Sequence, residues 1–264
     1  MIEMNSVLEI LRWHIGIGVD EAIGDAPVDR FSLVEAPAAL IQAPNPTVTR
    51  RLAESTPPPS QASNELVKAA RTLAAGASDV DALRSALMSF EGCGLRKTAT
   101  NLVFFDGATS AKMMMIGGAP GAQEDRQGKP FVGPSGALLD KMLTSIGVQR
   151  NNVLLSNTVF WRPPGNRTPT EQEVAICLPF IQRLIELVQP KILITLGGPA
   201  SKALLGESQG VGRLRGRWFT YKSAALENPI DATVMFSPES LFKTPNQKRA
   251  SWQDLLMIRE KLNV

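Results

Sequence analysis

Four short apolar runs, at residues 112–116, 152–160, 191–196 and 233–236, alternate with longer segments whose apolar residues recur at helical spacing. Runs of this kind read as buried strands and the segments between them as helices, expected over 136–146, 170–188 and 199–205. Two further helices are expected before the first strand, over 65–75 and 79–90. Thr170 with Glu173 makes a capping box, and Pro190 follows the end of that helix. The alternation predicts an α/β fold, a three-layer α/β/α sandwich around a central, mostly parallel sheet. Such a sheet takes its ligands at the carboxyl ends of its strands. Four candidate motifs fall there: Gly117 after the first strand, Trp161 after the second, Gly197 after the third and Ser237 after the fourth.

Ahead of this pattern, residues 7–17 have helix-like periodicity, and residues 43–63 hold three consecutive prolines among Ser and Thr. That composition favours an extended, solvated linker. The chain therefore divides into an N-terminal extension with a Pro-rich linker, 1–63, and an α/β domain, 64–264. At 264 residues and 44% hydrophobic, one good-sized domain plus an appendage is affordable in core. A formal charge of +3 permits contact with a polyanion without arguing for one. Cys93 and Cys177 stand far apart with no C-x-x-C, so neither a disulfide framework nor a cysteine-only metal site is signalled. Reduced thiols and the lack of any membrane-length apolar run point to a soluble, cytoplasmic chain with no membrane contact. The sole histidine is His14. With no imidazole in the C-terminal half, a Ser-His-Asp triad and histidine-bound zinc are excluded there, which leaves carboxylates, Lys or water for proton transfer.

The segment from Gly117 to Gly136, GGAPGAQEDRQGKPFVGPSG, opens directly after the first run. Its glycines and prolines allow sharp turns and close backbone approach to a ligand. It fits neither the Walker pattern nor G-x-G-x-x-G. What remains is a backbone-lined pocket with one ring, Phe131, suited to a flat, polar ligand such as a nucleobase. Asn157 lies inside an apolar strand, where an amide is costly to bury alone. Its acceptor and two donors match the N3–H and O4 edge of uracil and not the reversed edge of cytosine. The alternative is an Asn satisfying neighbouring backbone groups. Arg162 and Arg167 flank a Pro-Pro-Gly turn, and Arg213, Arg215 and Arg217 recur every second residue, which would align them on one face of an extended segment. With Lys243, Lys248 and Arg249 they either track phosphates or form a solvated basic surface.

Four blocks in order, the Gly117 loop with EDRQGKPFVGPSG, NTVFWRPPGNRTP, ITLGGPASKALLG, and RLRGRWF followed by FSPESLFKTPNQKR, carry a resemblance to the family 4 uracil-DNA glycosylases and their superfamily. It spans about residues 83–262. The resemblance implies removal of uracil from single- or double-stranded DNA in base excision repair, by a monomer that flips the nucleotide out and hydrolyses its N-glycosidic bond. It implies that Phe131 stacks on uracil, that Asn157 reads its polar edge, and that backbone at Gly118, Ala119 and Pro120 lines the pocket. Arg162, Arg167, Arg213, Arg215 and Lys243 would contact DNA. Leu241 and Phe242 would wedge into the gap left by the base, the alternative being ordinary packing at a helix start.

Three positions depart from the family pattern. Where the loop usually reads Gly-Glu, with the acid orienting the attacking water, this chain has Gly117-Gly118. Where the last motif usually reads His-Pro, with the imidazole stabilising the leaving uracil, it has Ser237-Pro238. The four cysteines that usually hold an iron-sulfur cluster fall on Phe90, Cys93, Trp161 and Cys177, so no cofactor is expected and the two rings would fill that volume. A lost oxyanion donor costs about 3 kcal/mol and a lost base about 10²- to 10⁴-fold. Ser237 would still donate a neutral hydrogen bond, and Glu124 or Asp125 would orient water from farther along the loop. Otherwise these acids cap the next helix or pair with Arg126 and Lys129. Two readings follow: a slow or altered-specificity glycosylase, or an inactive relative that binds uracil-containing or single-stranded DNA.

Overall fold

The computed structural model describes residues 61–262; the helix expected over 7–17, His14 and the Pro-rich segment as far as residue 60 lie outside the described residues. The last three residues of the expected linker, 61–63, are instead the first turn of a helix. Six strands form one sheet: β1 (Phe105–Asp106), β2 (Met113–Gly117), β3 (Val153–Asn157), β4 (Ile192–Leu196), β5 (Trp218–Tyr221) and β6 (Ile230–Met235). The helices are α1 (Gln61–Ala75), α2 (Val80–Ser89), α3 (Ala122–Gln127), α4 (Gly133–Ser145), α5 (Glu171–Val188), α6 (Gly198–Leu205), α7 (Val211–Leu214), α8 (Pro238–Lys243) and α9 (Lys248–Leu262).

The strand order is β1-β3-β2-β4-β6-β5. The four central strands are parallel, and β1 and β5 pair antiparallel at the two edges. In β2, β3 and β4 every residue is buried, as expected for strands covered on both faces. The pleat divides their side chains between two cores. Met114, Ile116, Leu154 and Leu193 pack with buried residues of α1, α2 and α5. Met113, Met115, Val153 and Ile194 pack with Leu139 and Leu143 of α4 and with Leu255 and Ile258 of α9. This is the three-layer sandwich that the alternation predicts. Among the described residues no helix is long and apolar enough to cross a membrane.

The caps follow the sequence. Thr170 Oγ1 accepts the Glu173 N–H at 3.2 Å and Glu173 Oε2 accepts the Thr170 N–H at 2.8 Å, the reciprocal box at the start of α5. That helix ends on Gln189 in the left-handed region, just before Pro190. The second expected strand is shorter than predicted: pairing stops at Asn157, and residues 158–161 turn away. The edge strands β1 and β5 and the helices α3, α7, α8 and α9 come in addition to the expected elements.

Candidate functional site

The loops after β2, β3, β4 and β6, with the last residue of β3, line a cleft of about 730 Å³. It lies where the chain order reverses. From β2 the chain crosses to β3 on one side and then returns to β4 on the other, the place where an open α/β sheet leaves a crevice for a ligand. Gly117 ends β2 and Asn157, in register beside it, ends β3. A methyl group on Gly117 would fall 2.6 Å from Asn157 Oδ1 and 2.7 Å from Phe131 Cζ. The amide and the ring therefore meet over bare backbone, and only glycine leaves them that space.

Asn157 is 3% exposed and lines the cleft, yet its side-chain amide makes no hydrogen bond to any described residue. Its polar atoms are reached from the cleft, unlike Tyr221 Oη and Ser251 Oγ, which are buried without a partner among the described residues. Satisfaction of neighbouring backbone, the structural alternative, is thereby removed, and the amide is available to a ligand. Ser156, one residue back, shows the contrast: its buried hydroxyl donates to the Phe104 carbonyl at 2.7 Å.

Phe131 has φ of 51°, in the left-handed region that a bulky residue enters only under constraint. Three contacts supply that constraint. Arg150, immediately before β3, donates from Nη1 to the Phe131 carbonyl at 3.0 Å and from Nη2 to the Pro130 carbonyl at 2.8 Å. Its guanidinium is held in turn by Asp106 and Asp140, each at 2.9 Å. Glu124 Oε1 accepts the Val132 N–H at 3.0 Å while Oε2 accepts the Gly121 N–H at 3.1 Å. Finally, the Phe131 carbonyl is tucked against α4 so closely that a methyl group on Gly136 would fall 1.9 Å from it. Arg150 is absent from the sequence reading, since nothing in its neighbourhood separates it from the other cations of the chain.

The loop residues Gly118, Ala119 and Pro120 line the cleft. Gly118 is fixed to the chain leaving β3: its carbonyl accepts the Thr158 hydroxyl at 2.6 Å and the Val159 N–H at 3.2 Å. A methyl group there would make an ordinary 3.5 Å contact with Pro199. Ser237 also lines the cleft and caps α8, its Oγ accepting the Ser240 N–H at 3.2 Å. Its hydroxyl proton has no acceptor among the described residues. Glu124 reaches the cleft wall with both oxygens already engaged by backbone. Asp125 is a correction: it is 3% exposed, and its Oδ1 accepts the N–H groups of Thr100 and Asn101 at 2.9 and 3.1 Å. Adjacent residues of a helix point about 100° apart, so when Glu124 faces the cleft Asp125 faces the interior.

The basic residues divide. Arg167 and Lys243 stand at the cleft, Arg167 paired with Glu173 at 2.6 Å and Lys243 with Glu239 at 2.7 Å. The Arg167 guanidinium holds the Glu173 carboxyl below its ordinary value. Arg162 donates to Asn166 at 2.6 Å. Arg213 is exposed, with no ion pair among the described residues. Arg215 instead forms a pair with Asp254, at 2.7 Å, whose side chain is 1% exposed, and burial pushes the Asp254 carboxyl up despite that partner. The segment holding these arginines is not extended: α7 coils it, and Gly216 at φ of 70° turns it before β5. The expected wedge is also corrected in part. Within α8, Leu241 is 1% exposed and belongs to the interior, whereas Phe242 is 49% exposed.

Behind the sheet, Phe90, Cys93, Trp161 and Cys177 share one buried cluster, with the Phe90 ring 5.3 Å from that of Phe180. The two sulfurs are 3.9 Å apart. These four side chains offer two thiols, too few for a four-cysteine cluster, because Phe90 and Trp161 are aromatic rings packed in the core.

A model of the uracil DNA glycosylase superfamily matches residues 104–256. The type-4 uracil-DNA glycosylase of Sulfurisphaera tokodaii is 34% identical over 186 residues, 69% of this chain and 84% of the relative. That of Pyrobaculum aerophilum is 32% identical over 183 residues, 68% of this chain and 92% of the relative. That of Thermotoga maritima is 36% identical over 140 residues, 53% of this chain and 67% of the relative. The parallel sheet with its pocket at the strand ends and the match over more than half of its length together show that this chain belongs to the uracil DNA glycosylase superfamily.

Proposed function

We propose that this chain is a cluster-free uracil-DNA glycosylase that removes uracil from DNA by extruding the nucleotide and hydrolysing its N-glycosidic bond. The observation that carries the reading is the buried, unpartnered amide of Asn157 beside the Phe131 ring. An extruded uracil stacked on Phe131 presents N3–H to the Asn157 carbonyl oxygen and O4 to its NH₂. As the bond to the sugar breaks, charge collects on the base, and the free Ser237 hydroxyl donates to it in place of an imidazole. The N–H of Ser240 on the same oxygen polarises that hydroxyl and makes it a better donor. Glu124, with both oxygens held by backbone, acts first as the clamp that keeps the loop and the Phe131 segment together. Arg167 and Lys243 at the cleft, with exposed Phe242 next to Lys243 in α8, suit contact with the DNA backbone and the vacated stack.

The same geometry supports a second reading, binding without excision, because Gly118 provides no acid and Ser237 no cation. A single decisive assay separates the two. Full-length protein in excess is mixed with an end-labelled single-stranded oligonucleotide bearing one uracil, and abasic sites are revealed with alkali beside a cytosine control. Uracil-dependent strand scission is expected; uracil-selective binding with no scission would establish the binding protein instead.

A further inference from the structure

We propose that Cys93 and Cys177 form an oxidation site at which hydrogen peroxide converts the two thiols into a disulfide. The sulfurs already touch at 3.9 Å, with the Cys177 S–H donating to the Cys93 sulfur. Closing to a bond of about 2.05 Å asks for roughly 2 Å of approach. The two residues differ in their place in the fold. Cys177 lies in the middle of α5 and is fully buried. Cys93 is buried too, yet it stands between half-buried Gly92 and exposed Gly94, and the space beside Gly94 is open to beyond 4 Å. Cys93 therefore sits in a loop next to an exposed residue, whereas Cys177 sits within a helix. Cys93 is thus the attacking sulfur and Cys177 the resolving one.

The step balances. The Cys93 thiolate attacks one peroxide oxygen, an S–O bond forms, the O–O bond breaks, and the departing hydroxide takes up the Cys93 proton to leave as water. The Cys177 sulfur then attacks the resulting sulfenic acid; the S–S bond forms, the S–O bond breaks, and the hydroxyl leaves as a second water with the Cys177 proton. Two thiols are oxidised and one peroxide is reduced. Because the chain has no other cysteine, every intramolecular disulfide in it is this one.

The full-length, fully reduced protein is treated with hydrogen peroxide in its native state, then alkylated under denaturation and mapped by mass spectrometry. Both thiols are expected to disappear together into a single Cys93–Cys177 peptide that dithiothreitol reverses. In Cys177→Ser, Cys93 is expected to stop at a sulfenic acid captured by dimedone; in Cys93→Ser, Cys177 stays alkylatable. Methionine oxidation, for example at exposed Met88, adds oxygen and is distinguished by mass. Two alkylatable thiols after peroxide, or Cys93 carried to the sulfinic acid while Cys177 remains reduced, would overturn the proposal, and the unmutated protein alone decides it.

Discussion

At Gly117 and Gly118 two neighbouring glycines have opposite reasons to be small. Gly117 is obligatory, since a methyl group would displace both Asn157 and Phe131. Gly118 is not, since a methyl group there only touches Pro199. The backbone therefore accepts an acid at the position where the family resemblance implies one. Gly118→Glu is expected to leave the melting temperature within a degree or two, roughly, and to raise the single-turnover excision rate by at least about tenfold; a rate unchanged at equal folding would mean that water is positioned by other groups. Ser237 combines a cap with a donor, and the two roles separate chemically. Gly is tolerated at an N-cap for roughly a few tenths of a kcal/mol, whereas Ala costs about 1 kcal/mol. Ser237→Gly is therefore expected to keep the fold and slow excision by about 10²-fold, measured as single-turnover rate beside a urea unfolding curve. Equal rates would remove Ser237 from the chemistry.

Elements show where the sequence is legible. Central strands such as β2 and β4 are continuous buried runs, so they are readable at once. The edge strand β5 is only half covered, and β1 is two residues long; neither offers an apolar run or a clean alternation. Helix α8 hid Leu241 because two apolar neighbours in sequence look like one wedge, although a helix sends one inward and the other out. The segment before β5 misled through its every-second-residue arginines, a period that signals extension only where the backbone is extended. Phe131 and Asn157 were legible because each is chemically out of place, a lone ring among glycines and an amide in a strand. Arg150 was not, because its importance lies in two carbonyls some twenty residues away. Arg150→Lys is expected to weaken uracil-dependent binding at least about tenfold with little change in non-specific DNA binding, because a point charge cannot replace a fork that holds two carbonyls and two carboxylates. Equal loss of both would reveal a purely structural role. At the start of α5 the Glu173 carboxyl is held below its ordinary value of 4.5, so its contribution is present above that pH and is lost as pH falls through the lowered value. Unfolding midpoints across pH 3 to 6, a range of about three units around the ordinary carboxylate value, should fall less steeply toward acid for Glu173→Gln than for the unmutated protein.

Across the whole molecule, one sheet reversal positions everything that the function needs. Loops from four strands converge there, while Phe90, Cys93, Trp161 and Cys177 lie in the other helical layer as buried packing. The pocket is thus built by the sheet and its loops from residues that remain, and its central claim is that Asn157 reads a uracil edge. The most direct measurement is the single-turnover rate on uracil and cytosine oligonucleotides for the unmutated protein and for Asn157→Ala, with folding checked by unfolding curves. The account predicts excision confined to uracil and reduced by about 10²-fold or more in the variant. Excision that continues undiminished in a folded Asn157→Ala protein would contradict it.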